Sequence, residues 1–438
     1  MGMIILSHHA GERYGLLGPQ VAASFITSEL GISTIVIGLL RNFDKEKLFE
    51  FIKEHYKNQE KIIGFSHLCG RPDLFELIGE LKTLGFRTIL GGPQAVSDLV
   101  GEGEIEKYPW RFKGLKDRVD LGFGGPVDGL SKELLESSKG SFSYQWNTDL
   151  YLKVDWDNLF IFDDHLEKLE IETFQVLRGI GCPYASLKKT IFLDPPSFFK
   201  EGPTIEIEVR GCSFCDVAWD KGFCGFVDDE KVLEQIENLP ERRKRKMPFE
   251  LIDEYPLVFL PKLLDLVSER GFLLEQINLV LRPDDILRHR DKLEKSLNRL
   301  KSQGTKLLLA SIGFESFSSK ILLNLNKGIT PEMNLEVVKI LRDLKKRFPE
   351  TLLYRRDEGA VHGFIYPTPW DDPHTEAETW KRVGAYQLFE DILPSHSTPL
   401  IIHHSSPLGE WIRKLEEKGF GPFKRHWTII EWWQYQGV

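Results

Sequence analysis

Two alternating series of apolar and amphipathic segments run along this 438-residue chain. In the first, short apolar runs read as strands: Met3 to Leu6, Thr34 to Leu39, Lys61 to Phe65, Thr88 to Leu90 and a short fifth from Asp120 to Phe123. Between them, Gly18 to Leu30, Asp44 to His55 and Asp73 to Leu84 carry apolar residues at helical spacing. Strands and helices joined by short loops predict an open parallel sheet with helices on both faces. Ligands of such sheets sit at the carboxyl ends of the strands. Here those ends carry Ser66, Gly91-Gly92 and Gly124-Gly125, and glycine lets a bulky group approach the backbone closely.

From about residue 131 to 200 the periodicity degrades. Trp146, Trp156 and Pro195-Pro196 read as an irregular linker over 136–203, and Cys182 within it reads as a buried thiol held in reserve as a ligand. A second series starts at 204. Its strands are Ile205 to Val209, Phe249 to Ile252, Ile277 to Leu281, Lys306 to Ile312, Val361 to Tyr366 and a last one at Leu400 to His403. Repeated strand–helix units predict a full or partial barrel with its site at the C-terminal strand ends. The residues there are Asp253-Glu254, Arg282, Gly313-Phe-Glu315-Ser316 and a cysteine loop. The expected division is 1–135 for the first domain, 136–203 for the linker, 204–395 for the barrel and 396–438 for an aromatic-rich end. Trp427, Trp432, Trp433 and Tyr435 in that end read as a plug over the barrel.

Composition narrows the class. Hydrophobic content of 41% and charged content of 28% belong to a globular protein with a real core. A net charge of −9 argues against a dedicated nucleic-acid binder. The one basic run, Glu241 to Lys246, reads as a solvated helix end or loop. No basic-then-apolar leader opens the chain, and no apolar run reaches the ~18 residues of a membrane span. Five cysteines do not suggest a disulfide framework, so a reducing cytoplasm is expected.

Three of those cysteines, Cys212, Cys215 and Cys224, lie directly after the strand that opens the second series. That is a metal-site spacing, and it leaves an iron–sulfur cluster and a structural zinc both open. Three thiolates on a cluster would leave one iron free for substrate or cofactor.

The motifs Val209-Arg-Gly-Cys-Ser-Phe-Cys215, Ile312-Gly-Phe-Glu-Ser316, Leu323-Asn-Leu-Asn-Lys-Gly-Ile-Thr330 and Leu90-Gly-Gly-Pro93 resemble the radical S-adenosylmethionine (SAM) enzymes that carry a cobalamin-binding domain in front of the barrel. The resemblance implies an α/β protein with a Rossmann-like cobalamin-type domain followed by a partial (β/α) barrel. It implies a 4Fe-4S cluster on Cys212, Cys215 and Cys224, with SAM on the open iron. Electron transfer then cleaves SAM to a 5′-deoxyadenosyl radical, and methylcobalamin usually delivers a methyl group to an unactivated carbon. It places SAM near Phe214, Asp253, Glu254, Arg282, Gly313, Glu315 and Ser316. It places the cobalamin tail at Ser66, Gly91, Gly92, Gly124 and Gly125. A small-molecule or peptide substrate and an electron donor such as flavodoxin or ferredoxin follow from the same resemblance. Arg282 reads equally as a partner of the SAM carboxylate or of Glu315.

Two departures stand out. The usual Cys-x3-Cys-x2-Cys is replaced by Cys-x2-Cys-x8-Cys, so the third ligand is Cys224 by a long loop or Cys182. The Asp-x-His-x-x-Gly cobalamin signature is absent: His8-His-Ala-Gly11 has Leu6 in the Asp place, and His8 and His9 read as loop residues. A first domain that no longer binds cobalamin, and a non-catalytic zinc-stabilised binding protein, are the rival expectations.

Overall fold

The computed structural model describes residues 2–66, 71–199, 201–215 and 224–434. The chain divides into two compact units. The first comprises Met1–Phe174, His403–Ser405 and Phe423–Glu431, and the second Gln175–Ile402, Ser406–Pro422 and Trp432–Val438.

The first unit is built on strands β1 (Gly2–His8), β2 (Ser33–Leu39), β3 (Ile62–Ser66), β4 (Arg87–Gly91), β5 (Leu121–Gly124), β6 (Gly140–Ser143), β7 (Leu159–Phe162) and β8 (Leu166–Lys168). They form one sheet in the order β6-β5-β4-β3-β1-β2-β7-β8, parallel except for the final β7–β8 pair. Successive side chains of a strand face opposite ways. Ile4 and Leu6 therefore enter one core with Ile37 and Phe65, while Met3 and Ile5 enter the other with Val36 and Ile89. Helices α1 (Leu17–Leu30), α2 (Lys45–His55), α3 (Pro72–Thr83) and the short α4 (Ala95–Val100) follow the first four strands. Asp44 caps α2 by accepting from the Lys47 N–H, and Gly31 ends α1 in the left-handed conformation that glycine tolerates.

The segment expected as a linker is divided between the units. Its β6, β7 and β8 extend the first sheet, while β9 (Phe174–Leu177), β10 (Gly179–Ile180) and β11 (Lys188–Leu193) pair within the second unit's strands. Short strands at sheet edges carry too little periodicity to be read from sequence.

In the second unit, β12 (Ile205–Arg210) departs from expectation. It pairs antiparallel with β11, from Lys188↔Arg210 to Leu193↔Ile205, and not with the parallel strands. Its strict alternation explains this: Ile205, Ile207 and Val209 are buried and Glu206 and Glu208 exposed, as in a sheet with one wet face. β13 (Gly225–Phe226) pairs with β10, and β14 (Glu241–Arg242) with β15 (Arg245–Lys246). The basic run is thus a tight hairpin, with Arg243 and Lys244 at φ 52° and 63°, rather than a helix end. β16 (Phe249–Ile252), β17 (Gln276–Leu281) and β18 (Lys306–Glu315) are parallel neighbours, flanked by β9 and by β19 (Leu352–Leu353), and β20 (Gly363–Phe364) joins the far end of β18. The last expected strand, β21 (Ile402–His403), pairs instead with a hairpin of β22 (Lys424–His426) and β23 (Ile429–Glu431). Trp427 stacks on Phe75 of α3 at 5.4 Å and so belongs to the first unit, not to a barrel plug. Tyr435 lies outside the described residues. Among the described residues no helix is long and apolar enough to cross a membrane.

Candidate active site

The ends of β16, β17 and β18 open on a cavity of about 260 Å³. Its walls include Cys182, Cys212, Phe214, Cys215, Asp253, Glu254, Arg282, Gly313, Glu315 and Lys327. Expected site residues from four separate segments therefore meet here. Ser316 does not line the cavity; it is buried, and its Oγ accepts from the Ser318 N–H at 3.1 Å.

The cysteine loop is held from across the unit by the Leu-Asn-Leu-Asn-Lys-Gly segment. The Ser213 N–H donates to Leu325 O at 2.9 Å, Ser213 Oγ to Asn324 O at 2.8 Å, and Asn326 Nδ2 to Gly211 O at 2.6 Å. Gly328, at φ 71°, completes the turn, and a Cβ there would sit 2.5 Å from the Tyr184 hydroxyl. Tyr184 in turn donates to Asn326 O at 2.9 Å. This segment's polar residues position the cysteines, which is a physical reason for their presence.

Its Lys327 enters the site itself. Buried, with 5% of its surface exposed, it lies 2.8 Å from Glu315 Oε1. Burial works against its charge, but the Glu315 carboxylate and the Cys212 sulfur outweigh this and raise its pKa above the ordinary lysine value. Glu315 stands at φ 59°, a conformation costly for a residue with a Cβ. Asn334 Nδ2 holds this kink by donating to Phe314 O at 3.0 Å and Ser316 O at 2.9 Å. Glycines flank the carboxylate. A Cβ on Gly313 would lie 2.7 Å from Glu315 Oε1, and one on Gly363 2.7 Å from Oε2. The Gly-x-Glu pattern is thus a slot cut for a carboxylate.

Arg282 does not meet Glu315. Its Nε donates to Asp284 at 2.9 Å, its Nη2 to Lys327 O at 2.5 Å, and its Nη1 lies 3.4 Å from Cys212 Sγ. Burial opposes its charge, yet the Cys212 sulfur and Asp284 raise its pKa above the usual arginine value. Three of its five N–H donors are engaged, which fits a group that positions the cysteine loop better than one reserved for a ligand carboxylate. Asp253 is likewise engaged, by Arg178 at 2.6 Å and by the Tyr255 N–H at 3.0 Å. Glu254 is exposed at the rim.

Cys224 is half-buried and immediately precedes β13, whose Gly225 pairs with Ile180 two residues before Cys182. The ladder brings the expected third ligand, Cys224, and the reserve thiol, Cys182, to one end of β10, but Cys182 lines the cavity and Cys224 does not. Burial, then the Glu254 charge, pushes the Cys182 thiol up to about 11. Burial, then Asp253, raises that of Cys224. Residues 216–223, which join Cys215 to Cys224, and Cys69 lie outside the described residues.

In the first unit, Ser66, Gly91 and Gly124 end three neighbouring strands, β3, β4 and β5. A Cβ on Gly91 would meet only Phe65 O, at 3.9 Å, and one on Gly92 nothing within 4 Å. Gly125 differs: at φ 97° its Cβ would lie 2.1 Å from Tyr144 O, so the chain's own packing requires glycine. His9 is buried in its own turn, with Nδ1 accepting from the Gly11 N–H at 3.0 Å. His8 Nδ1 lies 2.6 Å from Arg71 Nη1.

A solved structure shares this fold. It is described as an apo, selenomethionine-labelled, cobalamin-dependent S-adenosylmethionine radical enzyme, OxsB, and matches with a TM-score of 0.59 at 13% identity over 98% of this chain. At that identity the likeness is one of fold, a mixed α/β architecture with parallel sheets. This chain spans 63% of that protein's length. No protein-family model matches the sequence, and no curated protein does.

Proposed function

We propose that the chain is a radical SAM enzyme, with Cys212 and Cys215 as two ligands of a 4Fe-4S cluster. The observation that carries this reading is the convergence of cysteines, Arg282, Lys327 and Glu315 on one cavity at parallel strand ends. The likeness of fold to a cobalamin-dependent radical enzyme supports it. The donor set fits: thiolates suit iron–sulfur clusters, and buried cations beside Cys212 offset their charge. The cavity lining favours Cys182 over Cys224 as the third thiolate.

A reduced cluster held there would supply the one electron needed to split SAM into methionine and a 5′-deoxyadenosyl radical. This chain's residues bind and orient. Glu315, locked between two glycines, offers a carboxylate for the SAM ammonium group. Lys327 pairs with that carboxylate through one oxygen and brings positive charge for the SAM carboxylate. Phe214 gives an aromatic wall for adenine, and Arg282 holds the cysteine loop in register with the strand ends. The burial of this network excludes water, which a radical reaction requires.

Ser66, Gly91 and Gly92 leave room for a cobalamin tail, and methylation or a related conversion of an unactivated carbon is the reaction proposed. The packing need for Gly125 keeps a second reading in play, in which the same barrel works behind a first unit without cobalamin. The test is anaerobic reconstitution of the full chain with iron, sulfide and hydroxocobalamin. About four irons and one cobalt per chain, with 5′-deoxyadenosine formed from SAM under strong reductant, are expected. Zinc in place of iron, with no such product, sinks the enzymatic reading. Iron and product without cobalt leave the second reading.

A further inference from the structure

A separate convergence lies wholly within the first unit. Asp98, on α4, and the adjacent His403 and His404 are each 3% exposed. His404 Nε2 lies 2.9 Å and His403 Nε2 3.2 Å from the same oxygen, Asp98 Oδ1. All three donor atoms fall within 4.8 Å of one another. In a tetrahedral zinc site with bonds of about 2.0–2.2 Å, neighbouring donor atoms stand roughly 3.3 Å apart. The observed spacings are close to that edge length.

Neighbouring residues of a strand project to opposite faces. Here β21 ends at His403 and a turn begins at His404, so the two rings face the same way, with centroids 4.7 Å apart. Other contacts hold them there. His403 Nδ1 lies 2.8 Å from Ser405 Oγ, the outer partner that a ligating histidine ordinarily has. The His404 N–H donates to Thr428 O at 2.8 Å, and Phe112 packs 4.9 Å from its ring. The other buried carboxylate nearby, Glu102, has its own counter-ion, since Arg425 holds both its oxygens at 2.9 and 3.0 Å. Both imidazole nitrogens thus converge on one oxygen, Asp98 Oδ1, an arrangement compatible with donors around a common centre.

We propose that Asp98, His403 and His404 form a buried site for a divalent transition-metal ion, zinc by its ligand chemistry. The ion would clip α4, which follows the Gly91-Gly92 turn, to a segment 306 residues later in the chain. With three protein ligands, the fourth tetrahedral position falls to a water molecule.

The probe is Co(II), titrated into the metal-free full-length chain with Cys212→Ser and Cys215→Ser, so that thiolates do not compete. One equivalent is expected to bind with visible d–d bands of a tetrahedral ion and no thiolate charge-transfer band, and zinc should displace it. His404→Gln should weaken binding by about 100-fold or more. His403→Cys should keep one Co(II) per chain and add a thiolate-to-cobalt band in the near ultraviolet, while the far-ultraviolet circular dichroism and denaturation midpoint of the parent are retained. No stoichiometric binding by the parent chain, a thiolate band already present in it, or binding unmoved by both substitutions overturns the proposal. The cluster is then an aspartate hydrogen-bonded by two imidazoles.

Discussion

The strand ends of the two units are built by opposite means. In the second, side chains fill the mouth and satisfy one another: Lys327 with Glu315, Arg282 with Asp284, Arg178 with Asp253. In the first, the ends of β3 and β4 offer serine and glycine; a Cβ added at Gly91 finds room, while Gly92, at φ 126°, keeps glycine for its conformation. A site of the first kind is assembled before any ligand arrives and breaks when one member is lost. A site of the second kind contributes shape, and tolerates change until a ligand needs the space.

The sharpest break in that comparison is at the cysteines. Cys212→Ala or Cys215→Ala should lower reconstituted iron and sulfide to background, read by chemical quantitation and absorbance. Cys182→Ala should do the same and Cys224→Ala should not; the reverse pattern would assign the third thiolate to Cys224.

Glu315→Gln comes next. It strands the buried Lys327 cation, at a cost of about 3–5 kcal/mol. The denaturation midpoint should fall, and the yield of 5′-deoxyadenosine should drop by at least tenfold. An unchanged midpoint would mean that the mouth is less interlocked than its hydrogen bonds imply.

A third effect concerns pH. His362, buried behind the mouth, accepts from the Ile312 N–H at 3.0 Å and lies 2.8 Å from Tyr354 O through Nε2. Burial lowers its pKa to about 4. The unfolded chain binds this proton near 6.5 and the folded chain resists it, so the contribution is complete above 6.5 and is lost as pH falls through about 4. The loss should approach ~3 kcal/mol, measured as unfolding free energy of wild type at pH 7 and pH 4. His362→Gln should flatten that part of the profile.

The smallest expected effect tests the open strand ends. Gly91→Ala should change stability by less than about 1 kcal/mol, because an added Cβ has room here. It should weaken cobalamin binding roughly tenfold, about 1.4 kcal/mol. Gly125→Ala should destabilise the unit with or without cobalamin. Equal behaviour of the two variants would erase the distinction drawn here.

Much of this was legible in the sequence. The parallel strands of the first unit and β16 to β18 carry dense apolar runs, and the cysteine and Gly-x-Glu motifs name most of the cavity wall. Edge and pairing relations were not legible. β12 reads as a barrel strand because alternation says nothing about its partner. Arg282 faces Asp284, two residues on, rather than Glu315, because strand-end side chains turn according to local loop geometry. Lys327 stood in plain view in its motif, yet no spacing rule marks a lysine as buried. Asp98, His403 and His404 are invisible for a different reason: neither segment carries a ligand pattern of its own, and only folding joins them.

The grip on the cysteine loop also orders events in time. Ser213 and Gly211 are held by Asn324 and Asn326, 111 and 115 residues further along. During synthesis the thiols of Cys212 and Cys215 leave the ribosome long before their clamp exists, and three strand–helix units must follow first. On the proposed reading, loading with iron and sulfide therefore belongs to the finished chain. Chains truncated before Leu325 should expose these thiols to alkylation at the rate of an unstructured peptide.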